Sequence, residues 1–167
     1  MGRLQPDIDE VLYTTGSATE FHEILSFDAA LRDAGIDDIN VSKISSVVPE
    51  RATLRTDLSP SEIRSRLVPG GSYRTVVARG SVHGRDCRAY SAIAGAWLES
   101  GYGLNVEVHG VDDSETEVEA TCQELLERMA EQRDDALASE PVFACETALA
   151  DGGSDEWTTT VAAAVYR

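Results

Sequence analysis

Between residues 102 and 129 the hydrophobic pattern changes from the period of a strand to that of a helix, and this dictates a layered α+β fold. In Tyr102–His109, Leu104, Val106 and Val108 face one way, and Asn105, Glu107 and His109 face the other. Ser114-Glu115-Thr116-Glu117 then forms a capping box. It opens a long helix with an apolar stripe of Val118, Cys122, Leu125, Leu126 and Met129. A half-apolar strand and an amphipathic helix must each bury one face, and packing helices against a sheet does both.

The rest of the chain fits that plan. A helix is expected over 27–34, with Ser26 as N-cap, Phe27, Ala30, Leu31 and Ala34 on one face, and Gly35 as the stop. Ile39–Ile44 alternates and reads as a strand ending at Ser45-Ser46-Val47-Val48-Pro49. Pro60, Pro69, Gly70 and Gly71 punctuate a loop-rich middle. Strands are expected over Arg74–Val82 and Arg88–Trp97, then over 141–149 and 157–166 around the turn Asp151-Gly152-Gly153. Strands outnumber two principal helices, so the outermost helices would cover sheets packed against each other. The 167 residues fit one domain, 1–167, and a 42% hydrophobic content argues against wholesale disorder.

No apolar run approaches the roughly 20 residues that span a bilayer. The first residues lack the apolar stretch of a secretory signal, and after Met1-Gly2 the sixth position is Pro6, where a myristoylation site wants Ser or Thr. The expectation is a soluble, cytoplasmic protein with no membrane partner. Its 30 acidic against 14 basic residues, net charge −16, repel nucleic-acid backbones, so no nucleic-acid partner is expected. The acidity reads as an attractor for a cationic substrate or as a surface adapted to high salt, where screening removes self-repulsion. Lys43 is the only lysine, which favours the second reading and a halophilic source. Cys87, Cys122 and Cys145 are odd in number and form no CxxC, and His22, His83 and His109 share no ligand spacing. Neither a disulfide framework nor a metal site is suggested, and the cysteines read as small buried hydrophobes.

A Ser-Ser pair between a strand and a turn carries little information alone. Here Lys43-Ile44-Ser45-Ser46-Val47-Val48-Pro49 follows Phe27-Asp28-Ala29-Ala30-Leu31-Arg32-Asp33-Ala34-Gly35-Ile36 and Asn40. Downstream stand Leu67-Val68-Pro69-Gly70 and Gly103-Leu104-Asn105-Val106-Glu107. In this order and spacing the chain resembles the pyruvoyl-dependent arginine decarboxylases. The similarity runs from about Gly16 to the C-terminus and takes in Ser91-Ala92-Ile93-Ala94-Gly95, Cys145-Glu146-Thr147 and Ala162-Ala163-Ala164-Val165-Tyr166. Ala29 and the neighbourhood of His109 depart from the family pattern.

The resemblance implies self-cleavage between Ser45 and Ser46 into chains 1–45 and 46–167 that stay associated. Ser46 Oγ would attack the Ser45 carbonyl, exchanging amide for ester. Elimination would leave dehydroalanine, which hydrolyses to a covalent pyruvoyl group and ammonia. A planar amide resists such attack, so the turn before Pro49 must hold it in a reactive geometry. The ketone would take the amine of L-arginine as a Schiff base and accept electrons as CO₂ leaves, yielding agmatine for polyamine synthesis. Neither pyridoxal phosphate nor a metal is implied. Glu107 would be the proton donor, which requires a carboxyl kept protonated by desolvation or negative neighbours. From residues alone it is a surface glutamate on a polar strand face. Asp28 would bind the substrate guanidinium, although such a residue also serves as a first-turn helix acid. Asn40 would hydrogen-bond near the cleavage site, and Ser45 would offer its new carboxylate. The implied fold is a four-layer α/β/β/α sandwich, assembled as a homotrimer or multiple of trimers with active sites between protomers.

Other readings stay open. Lys43 could anchor pyridoxal phosphate, but no Gly-rich phosphate cradle accompanies it. Ser46 could pair with His22 or His109 in a hydrolase, but no G-x-S-x-G elbow surrounds it. The chain could be an unprocessed homologue acting as a binding or regulatory subunit. The same chemistry could also act on lysine, ornithine or histidine, with Asp28 favouring a long cationic tail.

Overall fold

The computed structural model describes residues 7–153 and 155–167; Met1-Gly2 and Pro6 lie outside them. Twelve elements follow in order: β1 (Glu10–Glu20), α1 (Glu23–Asp33), β2 (Asn40–Lys43), β3 (Val47–Val48), β4 (Thr53–Arg55), α2 (Pro60–Arg66), β5 (Ser72–His83), β6 (Arg88–Trp97), β7 (Gly103–Val111), α3 (Glu115–Glu131), β8 (Val142–Leu149) and β9 (Trp157–Tyr166).

The run Val161-Ala162-Ala163-Ala164-Val165-Tyr166 is apolar on both faces, so β9 must be covered on both. It lies at the centre of a five-stranded sheet, β2-β5-β9-β1-β4. Val161, Ala163 and Val165 pack with Leu12 beneath Ala30 and Ala34 of α1 and Ile63 of α2. Ala162, Ala164 and Tyr166 point the other way, into a core with Val11, Tyr13, Val76 and Ile93. That core is closed by a four-stranded sheet, β3-β7-β6-β8. The outer face of this sheet, with Ala92, Ala94, Leu104 and Val106, receives Val118, Cys122, Leu126 and Ala130 of α3. The layers are therefore α/β/β/α, as the resemblance implied. Small residues on β6 and β9 let the layers approach; a Cβ on Gly16 of β1 would strike the backbone of α1 at Ala30 and Ala34.

Several local expectations need correction. α1 begins at Glu23 rather than at 27, and its N-cap is His22, whose Nδ1 accepts from the Ile24 N–H at 3.2 Å. Ser26 is buried inside the helix. Its hydroxyl donates to the Glu23 carbonyl and bonds the Thr159 hydroxyl at 2.7 Å, so it ties the helix to β9 instead of capping it. The middle is not mainly loop: Ser59 and Glu62 form a capping box, and Pro60 opens α2 at a position where its missing N–H costs nothing. Among the described residues there are three helices, one more than the two principal ones expected. β1, which has no clear periodicity in the sequence, pairs with β9 along its length. Of the cysteines, Cys122 is fully buried, whereas Cys87 and Cys145 are half-buried.

Candidate active site at the crossover between the sheets

β2 is an edge strand of the first sheet, parallel to β5 with Lys43 opposite Thr75. β3 is an edge strand of the second, antiparallel to β7 with Val47 opposite Leu104. Ile44-Ser45-Ser46 is thus the segment in which the chain leaves one sheet and enters the other. Both ends of this crossing are tied. The Ile44 N–H donates to the Thr75 carbonyl at 3.2 Å, and the Asn105 N–H donates to the Ser46 carbonyl at 2.6 Å. Val48, fully buried between the sheets, anchors the far side. Ser45 lies exposed on the crossing and Ser46 is half-buried.

Asn105 is the polar centre of this region. The sequence places it correctly on the face shared with Glu107 and His109, but those two are exposed and Asn105 is completely buried. Its Oδ1 accepts from the Tyr13 hydroxyl at 2.5 Å, and its Nδ2 donates to the Tyr166 hydroxyl at 2.8 Å. Every polar atom of the amide that faces the core is thereby partnered, which the apolar surroundings demand. Burial pushes the Tyr13 phenol far above its ordinary pKa. It also pushes Tyr166 up to about 12, opposed by the Asn105 bond and helped by the charge of Glu107. Both phenols therefore stay neutral across the physiological range. Gly95 lies opposite Asn105 on β6, and a Cβ there would run into the Tyr13 hydroxyl and the Asn105 side chain. This Tyr13–Asn105–Tyr166 clamp joins the two sheets. Its trace in the sequence is an Asn in a core-facing register between two tyrosines whose strands, β1 and β9, are paired.

The remaining candidates distribute as follows. Glu107 lies two residues along β7 from Asn105, opposite Ile93, on the same face and at the open edge of the inter-sheet core. Its charge reaches Tyr166. The structure therefore brings Ser45, Ser46 and Glu107 to one region. Asp28 belongs elsewhere in the single chain: it sits on α1, outside the first sheet, with its side chain 60% exposed and Arg32 as a loose ion-pair partner at 3.9 Å. Asn40 starts β2, and its Nδ2 donates to the Gly70 carbonyl at 2.9 Å, fixing the turn before β5 rather than touching Ser46. Lys43 is an exposed strand residue. His22 is engaged as a helix cap and His109 lies exposed further along β7. Among the described residues no cluster of His, Cys, Asp and Glu is arranged to hold a metal ion.

A cut at 45–46 would separate residues that remain interleaved. β1 and α1 precede it, yet β1 lies between β9 and β4, which follow it. Glu10, at the start of β1, pairs with Arg55 and Arg66, each at 3.1 Å, and with Arg167 at 3.0 Å. Three arginines around one half-buried carboxylate form a network rather than an isolated surface pair.

A family model described as pyruvoyl-dependent arginine decarboxylase matches residues 10–167. A protein of that name from Methanopyrus kandleri is 32% identical over 152 residues, spanning 91% of this chain and 92% of its own length. Its namesake from Thermoplasma volcanium is 29% identical, over 93% of this chain and 94% of its own. The one from Halobacterium salinarum is 30% identical, over 89% of each.

Proposed function

The chain belongs to the pyruvoyl-dependent arginine decarboxylase family, and on that premise we propose that it cleaves itself between Ser45 and Ser46 and decarboxylates L-arginine to agmatine at the group so formed. The observation that carries this reading is the placement of Ser45-Ser46 at the sheet-to-sheet crossing, with the Ser46 carbonyl held by the Asn105 N–H.

The residues present fit a covalent pyruvoyl group. Ser46 supplies its atoms, its flanks are fixed to different sheets, and its position is half-buried. When formed, the group supplies a ketone that binds the substrate amine and accepts the electrons released with CO₂. Ser45, left as a new carboxylate at the surface, lies beside the new N-terminus and can hold the substrate amine. Glu107 holds the proton that replaces CO₂ on the substrate Cα. As a proton donor it needs shelter from the water that reaches it in the single chain, where it is exposed. A second protomer laid over the open edge of the core would remove that water.

The same assembly explains Asp28. A carboxylate on the outer layer cannot serve the crossing of its own chain, but it can bind the guanidinium of a substrate held at an adjoining protomer. A homotrimer, or a multiple of trimers, is the assembly proposed. After cleavage, the pairing of β1 with β9 and β4 and the Glu10–arginine network hold 1–45 to 46–167. No helix among the described residues is long and apolar enough to cross a membrane.

Purified protein incubated with arginine tests the reading. Two chains and stoichiometric CO₂ and agmatine are expected from the native sequence, and an unbroken, inactive chain from Ser46→Ala. A Ser46→Ala protein as active as the native one would refute it. Lysine, ornithine and histidine, run in parallel, report whether Asp28 selects the longest cationic tail.

A further inference from the structure

Self-cleavage needs two chemical steps at Ser46, and the hydrogen bond from Asn105 bears on the second. In the first, Ser46 Oγ takes the acyl group of Ser45 from the nitrogen, giving an ester. In the second, that ester breaks by β-elimination. The Ser46 Hα leaves as a proton to solvent, its electron pair forms the Cα=Cβ bond, and the Cβ–Oγ bond breaks to release Ser45 as a carboxylate. The dehydroalanine left at position 46 carries a free amine, which tautomerises and takes up water to lose ammonia and leave the ketone.

The difficult event is removal of Hα. Negative charge that builds on Cα delocalises onto the neighbouring carbonyl oxygen, which is Ser46 O. The Asn105 N–H is aimed at this oxygen from 2.6 Å. We propose that the Asn105 backbone N–H is the electrophilic donor of the elimination step, and that Tyr13 and Tyr166 are positioning residues that hold it there. This deepens the self-cleavage proposed above and rests on it.

The setting favours such a donor. Preorganised N–H groups stabilise developing oxyanions best where surroundings are dry and the donor cannot relax away. Asn105 is fully buried, opposite Gly95, and its strand is paired on both sides, with β3 and with β6. The side chain is gripped from two other strands, β1 and β9, by phenols that remain neutral. A polar clamp of this kind is costly in an apolar core unless fully satisfied, and an apolar residue at 105 would pack without it. Its consequence is a backbone N–H fixed at one position relative to Ser46.

The test follows the ester. Hydroxylamine attacks it at the Ser45 carbonyl, giving a hydroxamate on chain 1–45 and a chain 46–167 that still begins with serine. Native protein, Tyr13→Phe, Tyr166→Phe and the double variant are produced freshly, sampled over time with and without hydroxylamine, and weighed intact. Leu126→Ala, in the core under α3, serves as a control lowered in melting temperature. The double variant should hold the ester at least about tenfold longer than the native chain, a conservative share of the 10²–10³ lost when a whole oxyanion donor is removed. The single variants should fall between, and Leu126→Ala should clear its ester at the native rate. Native clearance in the double variant would overturn the proposal. So would slowed processing without hydroxylamine-sensitive ester, because the block would then lie in the acyl shift, and so would equal slowing in Leu126→Ala. A native chain that never breaks and shows no ester refutes the proposed function itself, which separates that failure from this one.

Discussion

Asn105 donates its backbone N–H to the Ser46 carbonyl at 2.6 Å while standing two residues from Glu107 on the same face of β7. One strand thus fixes the residue proposed to become the electrophile and carries the residue proposed to deliver the proton. Registers within a strand are rigid, so the spacing between the two groups is set by backbone geometry rather than by flexible loops.

Glu107→Gln should separate the two chemistries. The amide keeps the shape of the side chain but cannot donate a proton as an acid. Self-cleavage should proceed, while CO₂ release should fall by roughly 10²–10⁴-fold, the range for a lost general acid. Gel analysis and turnover on one preparation decide it. Full activity would remove Glu107 from the mechanism.

Asp28→Asn should weaken substrate binding. A charge-assisted bond to a guanidinium contributes about 1.5–3 kcal/mol, so KM for arginine should rise roughly 10–100-fold while kcat changes less. Because Asp28 stands on α1, outside the first sheet, cleavage should be unaffected. An unchanged KM would place the guanidinium elsewhere.

The charge of −16 should make stability depend on salt. Screening relieves repulsion among exposed carboxylates more than it weakens the half-buried Glu10–arginine network, so the first effect wins. The melting temperature should rise between dilute buffer and molar potassium chloride. A flat or falling curve would contradict a surface adapted to high salt.

The clamp predicts a loss of stability in alkali. Unfolded tyrosines release their protons near pH 10. In the folded chain burial holds Tyr13 well above that value and Tyr166 at about 12. Between pH 10 and 12 the folded state therefore binds more protons than the unfolded one, and stability must fall as pH rises. Urea midpoints measured from pH 9 to 11.5 should decline. The slope should flatten in the Tyr13→Phe/Tyr166→Phe protein without vanishing, since burial also raises Tyr90. Equal slopes in both proteins would contradict the account.

The parts of the fold legible in the sequence are those whose signals are local. β6, β7, β8, β9 and α3 follow from periodicity and from the Ser114–Glu117 box, and the structure reproduces them within a few residues. β1 is hidden because Thr14, Thr15, Ser17 and Thr19 leave no apolar alternation after Tyr13; the hydroxyls of Thr14, Ser17 and Thr19 are instead paired with the Ala34 carbonyl, Glu146 and Thr158. α2 was hidden by Pro60, a helix breaker in the interior and a helix starter at the first turn. At the site, Ser45, Ser46 and Glu107 could be named from family resemblance. The clamp could not, because Tyr13 and Tyr166 stand 92 and 61 residues from Asn105 in the chain. Only the packing of one sheet on the other brings them within hydrogen-bond reach.

The most direct test is the intact mass of freshly purified protein, with and without borohydride. Two chains are expected, 1–45 and 46–167, the longer one opening on a keto group that borohydride reduces by two hydrogens to a lactyl group, with activity lost in step. A single unbroken chain, unchanged by borohydride and yet releasing CO₂ from arginine at full rate, would contradict it.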